Sequence, residues 1–334
     1  MSTEKKFLIG ALMQQSLSEL KEFFATENLP NCGTKAEYLE ALEGVSGTKK
    51  LPLWKLAARL DELAVGWRQH VLLSQSPDGV ARAFRNAGAK NVDAIRHRAG
   101  IDGSTRSPLM PEKLSISHVE LTGNANLRVQ AVSVVAGQYR EPELDFEENT
   151  DDGRVIYKAS REEIIRCVVN FRWNLMSGES DIRISQLPSG EDYAEVEKEM
   201  VSLLAPEVMF MAFQPVTIEK AIKRLHDAAL QGKPEARPEA IDYASIHGRR
   251  LIGRVSANKQ SLTGEASFDA AFGKMKDDGV GRIGNFYWLP KNGLPLNKEV
   301  HVVLVAEYGR VNFPTDHERA EIDYILGRIR KLSS

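Results

Sequence analysis

The string "GVGRIG" sets Gly279, Gly281 and Gly284 at the G-x-G-x-x-G spacing of a dinucleotide-binding turn. That chemistry needs a strand before the glycines and a helix after them, so that a pyrophosphate meets the amides of the helix N-terminus. Here "FDAAFGKMKDD" before them reads helical and "NFYWLP" after them reads extended. The order is inverted, and the expectation is a loop leading into a strand. Scattered carboxylates could serve a metal-dependent nuclease: Asp277 and Asp278 with Lys274 and Lys276, or Asp151 with Lys158. Neither set presents an acid-x-lysine element on a strand. The acidic stretch 141–152 could suggest calcium, but counting from Asp145 the sixth place, where an EF-hand turns sharply on glycine, is Thr150. A solvated loop is the simpler reading. His70, His97, His118, His226, His247, His301 and His317 never pair at ligand spacing, and Cys32 and Cys167 are too few for a disulfide framework. No catalytic residue, metal or cofactor is expected.

What remains is distributed charge. From Ser46 to Arg106 there are eleven Lys/Arg against five acids, in a chain whose net charge is -2. Basic helices attract a polyanionic backbone through counterion release. The candidate nucleic-acid contacts are Lys49, Lys50, Lys55, Arg82, Arg85, Lys90, Arg96 and Arg98. A solvated helix face would carry the same charges, so the two readings stand side by side.

The elements that must position these residues follow from periodicity. The first hundred residues read as helices. Leu53, Leu56, Leu60, Leu63, Ala64, Trp67 and Val71 recur at three- and four-residue spacing and predict one helix over 52–73. Ser76 and Pro77 open another helix, which Gly88 stops. The Gly/Ser/Pro-rich stretch 101–113 is the expected linker. Beyond it the period changes to two. Leu127, Val129 and Ala131 alternate with Arg128 and Gln130, and the apolar residues Ile165 to Leu175 alternate with Arg166, Asn170, Arg172 and Asn174. Such strands are half-buried, with one wet face. "QGKPEARPEA" reads as a loop, and strands are expected near 250–256, 281–289, 299–306 and 308–313. Thr315 and Glu318 predict a capping box for the last helix. Strand–turn–strand–helix units at 164–204 and 281–332 share no residues, so a duplication rests on order alone. The expected fold class is α+β. A helical domain occupies 1–100, with basic helices at 46–100, and 114–334 form a mixed domain with antiparallel sheet and flanking helices.

Residues 17–42, "LSELKEFFATENLPNCGTKAEYLEAL", resemble the SAP motif, a helix–extension–helix module of chromatin, DNA-repair and RNA-processing proteins. Glu19, Leu20, Lys21, Leu29, Gly33, Thr34, Lys35, Ala36, Glu37 and Leu42 match its pattern without a gap, over about a twelfth of the chain. Independently, Asn28 tolerates a left-handed turn, and Leu20, Phe24, Leu29, Leu39 and Leu42 would close a small core. The resemblance implies nucleic-acid contact through Lys35 and the Gly33–Thr34 amides. The sequence departs from the motif at Tyr38, which replaces an aliphatic residue, and at Ala41, where a basic residue is usual. Residues 17–44 hold six glutamates against two lysines, which opposes a phosphate backbone.

The leading expectation is a non-enzymatic, nucleic-acid-associated protein that meets duplex DNA through backbone contacts, without sequence preference, within a larger assembly. The first alternative is a protein–protein scaffold subunit, and the second a metal-dependent nuclease. Protein partners or self-association are expected. The apolar run "FLIGALM" is too short for a signal sequence, and no stretch approaches the roughly 20 apolar residues of a membrane span. The expected location is intracellular.

Overall fold

The computed structural model of the chain describes residues 2–44, 52–66, 68–101, 107–150, 153–245, 247–256, 260–291 and 293–334. It opens with four helices: α1 (Thr3–Met13), α2 (Leu17–Thr26), α3 (Lys35–Gly44) and α4 (Leu53–Leu63). Ser16 and Glu19 exchange backbone hydrogen bonds in a capping box that starts α2. Asn28 turns the chain at φ 53°. Leu8, Leu12, Leu20, Phe24, Leu42, Leu56 and Leu60 form a core of their own. Leu39, expected in that core, is exposed. Tyr38 takes its place, edge-on to Phe24 at 4.5 Å, and its hydroxyl donates to Asn31 Oδ1.

The helix expected over 52–73 stops at Leu63, and Gln69–Gln75 is instead the strand β1. Two physical facts explain the difference. A Cβ on Gly66 would lie 2.8 Å from the His317 carbonyl oxygen, and the Gly66 carbonyl accepts the His317 amide at 2.9 Å. Close approach of another segment therefore ends the helix there. β1 is also buried on both faces, and a strand of that kind shows no period of two.

The chain continues through α5 (Asp78–Asn86), α6 (Gly88–Arg98), β2 (Ser115–Thr122), β3 (Asn126–Arg140), β4 (Phe146–Thr150), β5 (Gly153–Tyr157), β6 (Ser160–Asn174), β7 (Glu179–Ser185) and α7 (Tyr193–Leu204). It then runs through β8 (Gln214–Pro215), α8 (Glu219–Leu230), β9 (Ala236–Ser245), β10 (Arg250–Arg254), α9 (Ala266–Asp278), β11 (Gly279–Trp288), β12 (Val300–Val305), β13 (Arg310–Phe313) and α10 (Arg319–Ser333). The fold class is α+β. An eleven-stranded sheet runs β10-β9-β11-β12-β13-β1-β7-β6-β3-β2, with the short β8 on β1. Every pairing among the described strands is antiparallel. Two expected loops are strands. β9 begins inside "QGKPEARPEA", with Pro238 at a register shift where a strand can tolerate it, and the acidic stretch holds the β4–β5 hairpin. The final helix is capped by Glu318 and Glu321, one turn later than expected.

β1 is the seam between two halves with the same order of elements. The first is β1, α5–α6, β2, β3, β6, β7, α7. The second is β8, α8, β9, β11, β12, β13, α10, with β10–α9 inserted. Their helices cover opposite faces of the sheet. Leu72 pairs with Ile182 and packs under α5–α7, whereas Val71 pairs with Val311 and packs under α8 and α10. Each half therefore keeps one face clear of its own helices. The four N-terminal helices sit on that face of the first half, where Ala64 meets Val132 and Val168. Asp61 of α4 pairs there with Arg166 of β6 at 2.6 Å, each side chain 1% exposed. Arg166 also donates to Ser107 Oγ and to the Pro108 and Leu109 carbonyls, while the Pro111 carbonyl accepts the Val134 amide. Residues 107–111 of the expected linker are thus clamped between helices and sheet.

Two expectations follow. Asp61→Ala leaves the Arg166 charge buried and unpaired, and chemical denaturation should show a loss of about 3–5 kcal/mol, whereas Asp61→Leu with Arg166→Met should recover most of it. His70 on β1 stacks on Tyr193 at 4.4 Å, and burial, then Arg310, lowers its pKa to about 4 against an opposing hydrogen bond to Asn312. A histidine kept neutral in the fold takes up its proton on unfolding. Its stabilisation is complete above about pH 6.5 and fades as pH falls towards about 4. His70→Phe should flatten the thermal-unfolding profile across that window.

Candidate functional site

The structure divides the sequence-predicted basic residues between the two sides of the sheet. Lys35 and Lys55 belong to the N-terminal helices. Arg82, Arg85, Lys90, Arg96 and Arg98 lie on α5 and α6, which pack on the opposite face. Lys49 and Lys50 lie outside the described residues.

Several of these cations serve the fold. Lys35 Nζ donates to the Met13 carbonyl at 3.1 Å, and Lys55 pairs with Glu27 at 2.5 Å. Arg85 reaches the Leu175 carbonyl, and Arg96 the Val119 carbonyl. Arg98 is bidentate to Glu207, with both bonds at 2.6 Å, and that pairing raises its pKa. The Gly33 and Thr34 amides already donate to Glu37 Oε2, at 2.6 and 3.2 Å. The SAP-like segment thus satisfies internally the donors that a phosphate would need. Arg82 and Lys90 remain exposed.

The arginines that do converge lie on the clear face of the first half. The pleat sends Arg172 and Asn174 of β6 to this face, beside Arg128 and Asn126 of β3 and Glu120 of β2. The N-terminal helices frame this floor at one end, and α10 frames it along the β1–β7 side. Between them is a cleft of about 490 Å³ lined by Arg128, Arg172, Arg319 and Arg330, with Glu120, Glu179 and Asp181. A second cleft, of about 900 Å³, meets it at Arg128 and Arg319.

The charges here are unevenly matched. Asp323 of α10 serves Arg172 at 2.6 Å, Arg183 at 2.7 Å and Arg319 at 3.7 Å, and Asp181 also pairs with Arg183 at 2.7 Å. Burial works against its ionisation, but Arg183 and Arg172 outweigh that and lower its pKa. Arg330 is committed to the Ser74 and Ser180 carbonyls. Arg128 donates to Gln130 Oε1 at 3.1 Å and has no ion-pair partner among the described residues. Its pKa is lowered by burial first, then by Arg319 and Arg172, despite Glu120 across the strand pair. A half-buried cation crowded by two others is a ready receptor for an anion. Planar guanidiniums on a rigid sheet suit bidentate phosphate contacts. The sequence did place Arg128 and Arg172 on the polar side of alternating strands. What it lacked was the fold that brings Arg319 to them from 191 and 147 residues away.

The other candidate chemistries fare differently. Gly279 to Gly284 lie within β11, preceded by α9. A Cβ on Gly281 would meet Ile222 at 2.8 Å, so this glycine lets α8 lie close to the sheet. Among the described residues, no group of three or more His, Cys, Asp or Glu is placed to hold a metal ion. Asp151 and the side chains of Lys276, Asp277 and Asp278 lie outside that description. No described helix is long and apolar enough to cross a membrane.

A binding arginine leaves a thermodynamic mark. Because Arg128 is repelled by its neighbours, Arg128→Gln should change stability by no more than about 0.5 kcal/mol, or raise it, in thermal unfolding. A loss well beyond that would make Arg128 structural.

Comparison of the sequence with protein-family models and with curated proteins finds no match, and the functional reading rests on this geometry.

Proposed function

We propose that the protein is a non-enzymatic, nucleic-acid-associated protein that holds the phosphate backbone of duplex DNA in the arginine cleft of its first half-sheet. One observation carries this reading: Arg128, Arg172 and Arg319 crowd one open cleft, with Asp323 shared among three guanidiniums and no carboxylate among the described residues paired to Arg128. Contacts of this kind position a duplex without reading its bases. The site differs from the one expected on 46–106, where Arg85, Arg96 and Arg98 have partners within the fold.

Fluorescence anisotropy on a random duplex tests the proposal. Binding should weaken steeply with salt, each lost phosphate contact lowering the slope of log K against log salt by about one. Arg128→Glu with Arg319→Glu should cost at least about tenfold in affinity at low salt. Arg82→Glu with Lys90→Glu should cost less. Absence of binding at low salt, or the reverse order of the two double variants, would overturn the proposal.

A further inference from the structure

Two surfaces take no part in the arginine cleft, and they complement each other. The first is an arm. β3 and β6 outrun their neighbours: β2 pairs with β3 no further than Val132, and β7 with β6 no further than Val169. The two strands continue alone to Arg140 and Ser160, and the β4–β5 hairpin extends them. Every residue of the strands β4 and β5 is exposed, including Phe146, at 57%, and Ile156, at 53%. Phe146 and Tyr157 stack at 4.3 Å, with Leu144 and Val155 also exposed. Residues 141–159 carry seven acids against two bases. A lone two-stranded ribbon with exposed aromatics and two open edges is marginal in water.

The second surface is the clear face of the second half, at β9–β11. Ile252, Asp242, Ile283 and Val305 form one row across four strands, with Ala244 and Val280 beside it. Ile252 is 59% exposed, Val280 42% and Ile283 38%. A register shift between Gly281 and Ile283 turns both Arg282 and Ile283 outward. Arg249, Arg250, Arg254 and Arg282 fringe the patch and are exposed. Asp242, paired with Arg250, is the acid within it. β10 adds an open sheet edge.

We propose that the acidic, aromatic arm of one copy docks on the basic, aliphatic β9–β11 face of a second copy. Charge complementarity selects this occupant, since the arm is acidic where the face is basic and each exposes apolar side chains that the other can cover. Within one chain the pairing is out of reach. Four strands separate β6 from β11, a step of roughly 24 Å at the usual strand spacing. The contact is heterologous, arm to face, so it builds either a closed ring or an open chain of subunits. It is separate from the DNA reading and shares no residue with the arginine cleft.

Sedimentation velocity across a concentration series tests it with the full chain. The wild type should assemble with concentration, and the assembly constant should fall by at least about tenfold between low and high salt. Two variants each lose one surface: Glu147→Arg with Glu148→Arg on the arm, and Arg254→Glu with Arg282→Glu on the face. All four side chains are exposed, so folding is spared. Each variant alone should be monomeric. As a second check, residues 141–159 can be replaced by Asn-Gly, which closes the Arg140–Ser160 pair with a tight turn. Mixing this armless chain with the face variant Arg254→Glu, Arg282→Glu should give a one-to-one dimer and nothing larger, because only one good arm and one good face remain. A monomeric wild type, unaffected assembly in the single-surface variants, or no dimer in the mixture would overturn the proposal. Arg128→Glu with Arg319→Glu should leave assembly intact, so loss of DNA binding and loss of assembly are read separately.

Discussion

β1 makes the rest of the structure possible. Its side chains alternate between two cores, Val71 and Leu73 on one side and Leu72 on the other, so the helices of each half must pack on opposite faces of one sheet. A sheet built this way leaves half of each face uncovered by its own helices. On the first half, that vacancy takes the N-terminal helices at one end and α10 at the other. The polar floor of arginines and asparagines between them is the remainder of the same face. On the second half it is the β9–β11 patch.

Burying cations beside a sheet is costly unless they are paired. Arg166 illustrates the satisfied case: Asp61, Ser107 and two carbonyls account for its donors. The Asp323 network is intermediate, with Asp323 and Asp181 among three guanidiniums. Arg128 is the case with a hydrogen bond to Gln130 and no ion-pair partner among the described residues. That gradient along one sheet face separates residues that hold the fold together from those left for a ligand. By the same measure Arg98, a prominent charge in the sequence, belongs with the first group, since Glu207 occupies its guanidinium.

Elements with a clean amphipathic period were legible in the sequence. β6, β7, β12, β13 and α10 lie near their expected places, and in β6 polar residues alternate with apolar ones even where, as at Arg166 and Asn170, both faces are buried. β1 was not legible. Buried on both sides, it prolonged the helical spacing of α4, and the single clue was Gly66, whose meaning depends on His317, 251 residues later. β9 was hidden by Pro238 and Glu239, which a register shift against β11 accommodates. For the candidate site, alternation exposed Arg128 and Arg172, while local charge counting pointed to α5 and α6. Counting along the chain cannot register that Glu207 returns to Arg98, or that Arg319 arrives beside Arg128.

The most direct measurement is hydrogen–deuterium exchange with and without duplex DNA at low salt. The account predicts added protection around Asn126–Gln130, Asn170–Asn174 and the first turn of α10, with α5 and α6 unchanged. Protection confined to α5 and α6, with none on the sheet face between α4 and α10, would contradict it.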